Sequence, residues 1–466
     1  MNLIIEQLTK KLNEALARIE ALEKENAELR ARLAMNSSNS SLPPSSDRFI
    51  KKKDKNKSLR KKSAKSSGGQ KGHKGFTLNK VDNPDYIVDL TLNTCPHCNT
   101  NLQDSEIDDI KTRQVFDIPE IKILVTEYRS QVKTCPHCKE KSIAQFPNNI
   151  TSPTQYGANI KALITNLNIY HALPYNKIQE LLKDIFDLNL SQGTIANTLK
   201  KAFVSLEKVE EFFKSELRKA KIAHADETGT KVNGNTQWIH SFSNNKFTVL
   251  TSHKNRDKKA IEEVGILSHY KGILSHDCWY AYDCYTQVLH SLCWAHFLRE
   301  LQGIEENTEL KFPVKIRDFI LELKAKIENG KEISKSEEFG ICWKYISIIE
   351  EAKREERNYY LTDVLDSKKR KSKAFNLLKR LSRYEDVLRF FLERNSSLFT
   401  NNAAEREIRN IKVKSKIQGA FRSELGSQIY CRIRGYISTM KKNGKNQYSA
   451  LKSIFDLCEI MLPIVE

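Results

Sequence analysis

No apolar run in this 466-residue chain approaches the roughly 20 residues that a membrane-spanning helix needs. A secretory signal core is missing as well, because the N-terminus is a charged, amphipathic segment. Membrane is therefore not the expected partner. Cysteine is too sparse for a disulfide framework. Of ten cysteines, four form two Cys-x-x-Cys pairs and the others lie singly among apolar residues. That usage fits a reducing compartment and one metal site, and predicts a bacterial-type cytoplasm or its nucleoid. Acidic residues are in deficit, 58 Asp and Glu against 77 Lys and Arg, for a net charge of +19. Such a field favours a polyanion, and with membrane set aside that means nucleic acid.

The length suggests about three domains. Residues 3–34 carry a heptad repeat, with Ile5, Leu12, Ile19, Asn26 and Leu33 at one seam position and Leu8, Ala15, Leu22 and Leu29 at the other. A lone Asn among aliphatics is the pattern of a parallel two-stranded coil, so a homodimer is expected. From Asn36 to Leu78 the chain turns to Ser, Asn, Pro, Gly and Lys, including a Lys-rich run from Lys51 to Lys65. That composition cannot bury enough apolar surface to order itself, and predicts a disordered arm lying along DNA phosphates.

Cys95-Pro-His-Cys98 and Cys135-Pro-His-Cys138 are identical tetrapeptides. Four thiolates in two knuckles bind one structural Zn²⁺, with His97 and His137 as exposed turn residues. Strands are expected between the knuckles, at Arg113 to Phe116 and Lys122 to Val132. Residues 154–205 read as helices. Asn176 to Phe186 and Gln192 to Phe203 flank a short turn, with Ser191 as N-cap. The pair resembles a helix-turn-helix, which would put Gln192, Thr194, Asn197 and Lys200 on the reading helix.

After a charged helix the pattern changes to short strands at Ile222 to Ala225, Gln237 to Ser243, Lys246 to Ser252, Gly272 to His276 and Val288 to Leu292. Val232-Asn233-Gly234-Asn235 marks the first hairpin. Strand-strand-strand-helix-strand-helix-strand is the order of a ribonuclease H-like core, in which the first and fourth strands are neighbours. Asp226 and Asp277 each follow one of those strands, and Glu405 opens a helix. Carboxylates delivered in this way form a cage for two Mg²⁺ ions, with Mn²⁺ as a substitute. Two such ions can clamp the attacking and leaving oxygens of a phosphoryl transfer. Asn402-Ala-Ala-Glu405 also reads as a helix-capping pattern, in which Glu405 would serve only its own helix.

Over nearly its whole length the chain resembles the bacterial insertion-sequence-66 transposases, which carry a DDE triad. The shared features are the N-terminal coil, Ser-Ser-Leu-Pro-Pro-Ser-Ser-Asp, Gly-Gly-Gln-Lys-Gly-His-Lys-Gly, the paired knuckles, His-Ala-Asp226-Glu-Thr, Asp277-Cys-Trp-Tyr280-Ala-Tyr282, Cys293-Trp-Ala-His296, Asn401-Asn402-Ala-Ala-Glu405-Arg406 and Arg409. The resemblance implies that Asp226, Asp277 and Glu405 are the metal-binding acids. It further implies an enzyme that binds the double-stranded ends of its own element, cuts them and joins them to target DNA, with accessory proteins of the same element as further partners. Two positions depart from the family, Thr400 for Asp and Glu300 for Arg. Cys293 and His296 offer only two adjacent ligands and read as a packed thiol and a polar ring near the site. His296, Arg299, Arg406 and Arg409 are assigned to DNA contacts.

The expected layout is a coil at 1–35, a basic arm at 36–80, a zinc ribbon at 81–150 and a helical DNA-binding segment at 151–220. The mixed α/β catalytic core then runs over 221–305 and 396–466, interrupted by a helical insertion at 306–395. The alternatives are a catalytically idle DNA-binding regulator derived from a transposase, and a ribonuclease H-like nuclease. The intact acids argue against the first, and the coil, arm and ribbon are superfluous in the second.

Overall fold

The computed structural model describes residues 2–33, 35, 72, 75, 77–277, 279–328, 334–360, 372–383, 401–456 and 459–463. The Lys51 to Lys65 run and Thr400 lie outside them. The chain divides into two units, residues 53–126 and residues 1–52 with 127–466.

The larger unit is built on a five-stranded mixed sheet of β1 (Ile222–Val232), β2 (Asn235–Ser243), β3 (Thr248–His253), β4 (Ile273–His276) and β5 (Leu289–Leu292). The spatial order is β3-β2-β1-β4-β5, with β1 antiparallel to β2 and parallel to β4. The first and fourth strands are thus neighbours, as the strand order predicts. The hairpin between β1 and β2 turns on Asn233 (φ 48°) and Gly234 (φ 78°). Two successive left-handed residues make the tight turn whose twist matches a hairpin, which is why Asn-Gly stands there. Every residue of β4 is buried, as a parallel strand covered on both faces requires.

The helices Ala158–Thr165, Tyr175–Phe186, Gln192–Ser205 and Glu207–Lys219 share one core with the sheet and with the later helices Glu424–Lys442 and Gln447–Ser453. Phe213 stacks on Tyr436 at 6.4 Å between ring centres. Each such buried ring contributes roughly 2–3 kcal/mol. Ser191 caps its helix by accepting a hydrogen bond from the Thr194 amide at 3.0 Å, and Asp257 caps Lys258–Val264 in the same way through Ala260. A second core forms among Trp294–Asn307, Phe312–Glu328, Lys335–Tyr360 and Lys373–Arg383, between β5 and the helix Asn402–Gln418.

Three expectations need correction. β1 does not end at Ala225 but runs to Val232, so Asp226 lies within the strand. It lies beyond the parallel ladder, whose last pair is His224 with Ser275. Between β4 and β5 the described residues hold only a single 3₁₀ turn, Tyr282–Cys284, instead of a helix. Arg113 to Phe116 and residues 122–131 form no strands; the only strands near the knuckles are Val132–Thr134 and Lys141–Ile143, paired with each other. Alternation alone does not make a strand, since a ladder partner and a face to bury are also needed.

In the smaller unit Lys80 donates to Thr112 and Val81 exchanges hydrogen bonds with Gln114. Ile107, Val115, Leu124 and Val125 are exposed there.

Candidate active site

β1 carries His224, Ala225, Asp226 and Glu227 in succession. Asp226 accepts a hydrogen bond from the Glu227 amide at 2.9 Å. Asp277 leaves the end of β4 and accepts one from the Trp279 amide at 3.1 Å. Glu405 lies in the first turn of Asn402–Gln418 and pairs with Arg409 at 3.2 Å. The helix cap is Asn401, one residue earlier than the capping pattern requires, and its side chain makes no cap hydrogen bond. The residue instead ties three elements together. Its Nδ2 donates to the Ala225 carbonyl at 2.7 Å, its Oδ1 accepts from His224 Nδ1 at 3.2 Å, and its amide donates to Cys293 Sγ at 3.3 Å.

Asp226 feels the charge of the other two acids, and Asp277 feels that of Glu405. The Asp226 carboxyl is held well above the usual range by burial, then by Glu227, Asp277 and Glu405. Asp277 is pushed up to about 7 by burial first and by Glu227 next, with a further contribution from Glu405. Glu227 is the fourth carboxylate, and it is already engaged. Arg256 Nε donates to its Oε1 at 2.9 Å, Arg256 Nη2 joins the same oxygen, and the Tyr282 hydroxyl donates to Oε2 at 2.7 Å. Arg256 is itself clasped between Trp238 and Trp279, at 4.8 and 4.4 Å from the ring centres, and reaches Asp277 at 4.0 Å. Asp226 thus lies in the field of Asp277 and Glu405, three oxygen donors of the kind Mg²⁺ takes, and a divalent cation bound among them would relieve that crowding.

Sequence reasoning passed over Arg256, Tyr282, the two tryptophans and Asn401. Trp279, Tyr282 and Asn401 stood in motifs shared with the family, whereas Arg256 and Trp238 stood in none. Arg256→Ala leaves Glu227 as a buried, under-compensated carboxylate and is expected to cost about 3 kcal/mol. The double variant with Glu227→Gln should recover much of that loss. Chemical denaturation of the four proteins checks this, and full additivity of the two substitutions would disprove the coupling.

Cys293 is buried at the start of Trp294–Asn307, and its thiol is pushed up to about 11 by burial. His296 is half-buried and held at about 4, by burial first and by Arg299 and Arg380 next, so the ring is neutral. Glu300, where the resemblance leads one to expect Arg, forms a two-pronged pair with Arg380 from the inserted helices. Arg299 is half-buried with its Nε on the Ala295 carbonyl, while Arg406 and Arg409 are exposed. On the Gln192–Ser205 helix, Gln192, Asn197 and Lys200 are exposed, whereas the Thr194 hydroxyl is drawn into the Ser191 cap at 2.9 Å.

The two knuckles fold alike. The Cys95 amide donates to Thr100 O at 2.9 Å, and the Cys135 amide donates to Glu140 O at 2.8 Å. Asn99 and Lys139 take the same left-handed conformation at φ 59° and 62°. His97 and His137 are exposed. Cys98 falls in the smaller unit with Cys95, and its thiol is lowered mainly by hydrogen bonds to Thr100. Cys135 and Cys138 fall in the larger unit, and backbone hydrogen bonds at Cys138 and His137 lower the Cys135 thiol.

Among the described residues, no helix is long and apolar enough to cross a membrane. No curated protein matches the chain. Residues 1–79 match a family of unknown function, and residues 93–139 match the zinc-finger binding domain of transposase IS66. The acids, the sheet and the inserted helices all fall within residues 153–429, which match the transposase IS66 family. That match spans more than half of the sequence, and the chain belongs to the IS66 family of transposases.

Proposed function

We propose that this transposase cuts the ends of its own insertion sequence and joins them to target DNA, with Asp226, Asp277 and Glu405 holding two Mg²⁺ ions. The observation that carries the reading is the charge that Asp277 and Glu405 exert on Asp226, with the acids drawn from two strands and a helix, while Glu227 beside them is held by Arg256 and Tyr282. When bound, the ions supply charge neutralisation at phosphate and activation of the attacking oxygen. The protein's own groups fix the geometry. The Trp279 amide and Arg256 orient the Asp277 carboxylate. Asn401 pins the start of the Glu405 helix to β1. Arg299, Arg406 and Arg409 are suited to phosphates because the guanidinium fork matches paired phosphate oxygens.

DNA is held elsewhere by Gln192, Asn197 and Lys200, by the zinc ribbon and by the Lys51 to Lys65 arm. One Zn²⁺ held by Cys95, Cys98, Cys135 and Cys138 is structural. The deciding experiment is strand cleavage of duplex DNA carrying the element's ends, with Mg²⁺. Cleavage at the terminal phosphodiester supports the reading, and binding without any cleavage would leave the idle regulator.

The N-terminal helix Asn2–Leu33 supports a dimer in this scheme, since Leu12, Ile19, Leu22, Leu29 and Leu33 of its seam are exposed on the single chain. Deleting residues 2–33 is expected to convert a dimer to a weaker or monomeric species. Asn26→Leu should strengthen the coil while loosening its choice of strand number. Sedimentation that finds the full chain monomeric at micromolar concentration would remove this support.

A further inference from the structure

Cys293 and His296 gain a third neighbour in the folded protein. Among the described residues, Cys293, His296 and Glu405 each offer one ligand atom, and these atoms lie within 4.8 Å of one another. The three arrive from separate places: Cys293 from the end of β5, His296 from the first turn of the next helix, and Glu405 from a helix more than a hundred residues later. The Cys-x-x-His spacing sets the thiol and the ring on one side of a helix start, where the His296 amide donates to the Cys293 carbonyl at 3.1 Å.

We propose that Cys293, His296 and Glu405 form a binding site for a thiophilic divalent ion, Zn²⁺ in the first instance, separate from the zinc knuckles. A thiolate, an imidazole and a carboxylate with one position left open are a donor set that zinc takes and magnesium does not. Tetrahedral zinc with ordinary bond lengths places its ligand atoms about 3.5 Å apart. The three side chains, whose ligand atoms lie within 4.8 Å of one another, therefore need to close by about 1.3 Å at most.

Two further observations point to a ligand. His296 Nδ1 is buried with no hydrogen-bond partner among the described residues, and an orphaned buried nitrogen is costly unless something occupies it. The Asn401 amide already donates to Cys293 Sγ at 3.3 Å, the kind of outer contact that orients a metal-bound sulfur. Coordination breaks the S–H bond, forms the Zn–S bond and releases the proton to solvent. Arg409 engages Glu405 Oε2, which leaves the other oxygen for the ion.

Glu405 is also the proposed third Mg²⁺ ligand, so zinc here would withdraw it from the cage and inhibit cleavage. That consequence rests on the proposed function, whereas zinc binding itself does not.

The test is metal analysis of the full-length protein after saturation with Zn²⁺ and removal of excess ion. Cys293→Ser and His296→Gln should each retain one ion fewer than wild type, and Asp226→Asn and Asp277→Asn should retain the full number. Co²⁺ in place of Zn²⁺ should show a sulfur-to-cobalt absorption that is reduced in Cys293→Ser, with thermal melts used to confirm that both variants remain folded. Full zinc content in folded Cys293→Ser and His296→Gln overturns the site. Loss of an ion in Asp226→Asn but not in His296→Gln also overturns it, by moving the ion to the aspartates. If zinc content behaves as expected but cleavage is indifferent to Zn²⁺, the site stands and only the sharing of Glu405 falls.

Discussion

Asp226→Asn, Asp277→Asn and Glu405→Gln are each expected to lower Mg²⁺-dependent strand cleavage by at least about 10³-fold, with binding to the element's ends nearly unchanged. Each substitution keeps shape and hydrogen bonding but removes one charge from the donor set. The stability effect has the opposite sign. Burial and the charges of Glu227, Asp277 and Glu405 all act against the Asp226 carboxylate, so Asp226→Asn should raise the metal-free protein's Tm by a few degrees, on the order of 1 kcal/mol.

The pH dependence follows from the same crowding. Asp277 titrates near 7 in the folded chain, against 3.8 for the free side chain. Between those values the folded state holds a proton that the unfolded state has lost. Stability of the metal-free protein therefore falls as pH rises through that window. The Tm advantage of Asp277→Asn over wild type should accordingly be larger at pH 8 than at pH 5. Normal cleavage by Glu405→Gln would remove Glu405 from the donor set, and a Tm gap independent of pH would contradict the crowding.

How much of this was legible beforehand depended on range. Ser191 and the Asn233-Gly234 turn are local devices, and each does in the structure what its few neighbouring residues dictate. The adjacency of β1 and β4 followed from strand order. The extent of β1 did not, because Glu227 to Lys231 look polar and their strand state comes from pairing with β2. Arg256 was invisible for the same reason. Its partners Glu227, Trp238, Tyr282 and Trp279 are distant in sequence, and only the folded sheet gathers them. Glu405 stood in a motif that could equally cap a helix. The cap falls on Asn401, one residue ahead and turned toward β1, so Glu405 is not in the position a capping box requires.

Cys95→Ser or Cys138→Ser is expected to release zinc and unfold residues of about 90–140, the second large effect. Ile107, Val115, Leu124 and Val125 are exposed, and none of the described residues of 77–126 is a buried hydrophobic one. A segment without buried apolar surface cannot offset its ordering entropy. Two knuckles with the same turn and the same left-handed conformation after the second cysteine are shaped for metal, and residues 93–139 match a zinc-finger domain. Structural zinc in such peptides supplies on the order of 10–16 kcal/mol. Losing one thiolate should therefore cost most of the order in this stretch. The sheet keeps its own core, so its thermal transition should persist. Limited proteolysis should cut the variants within about 90–140 and leave a fragment containing the catalytic sheet. Wild-type protein purified without zinc, or variants as protease-resistant there as wild type, would show that something other than metal holds this segment.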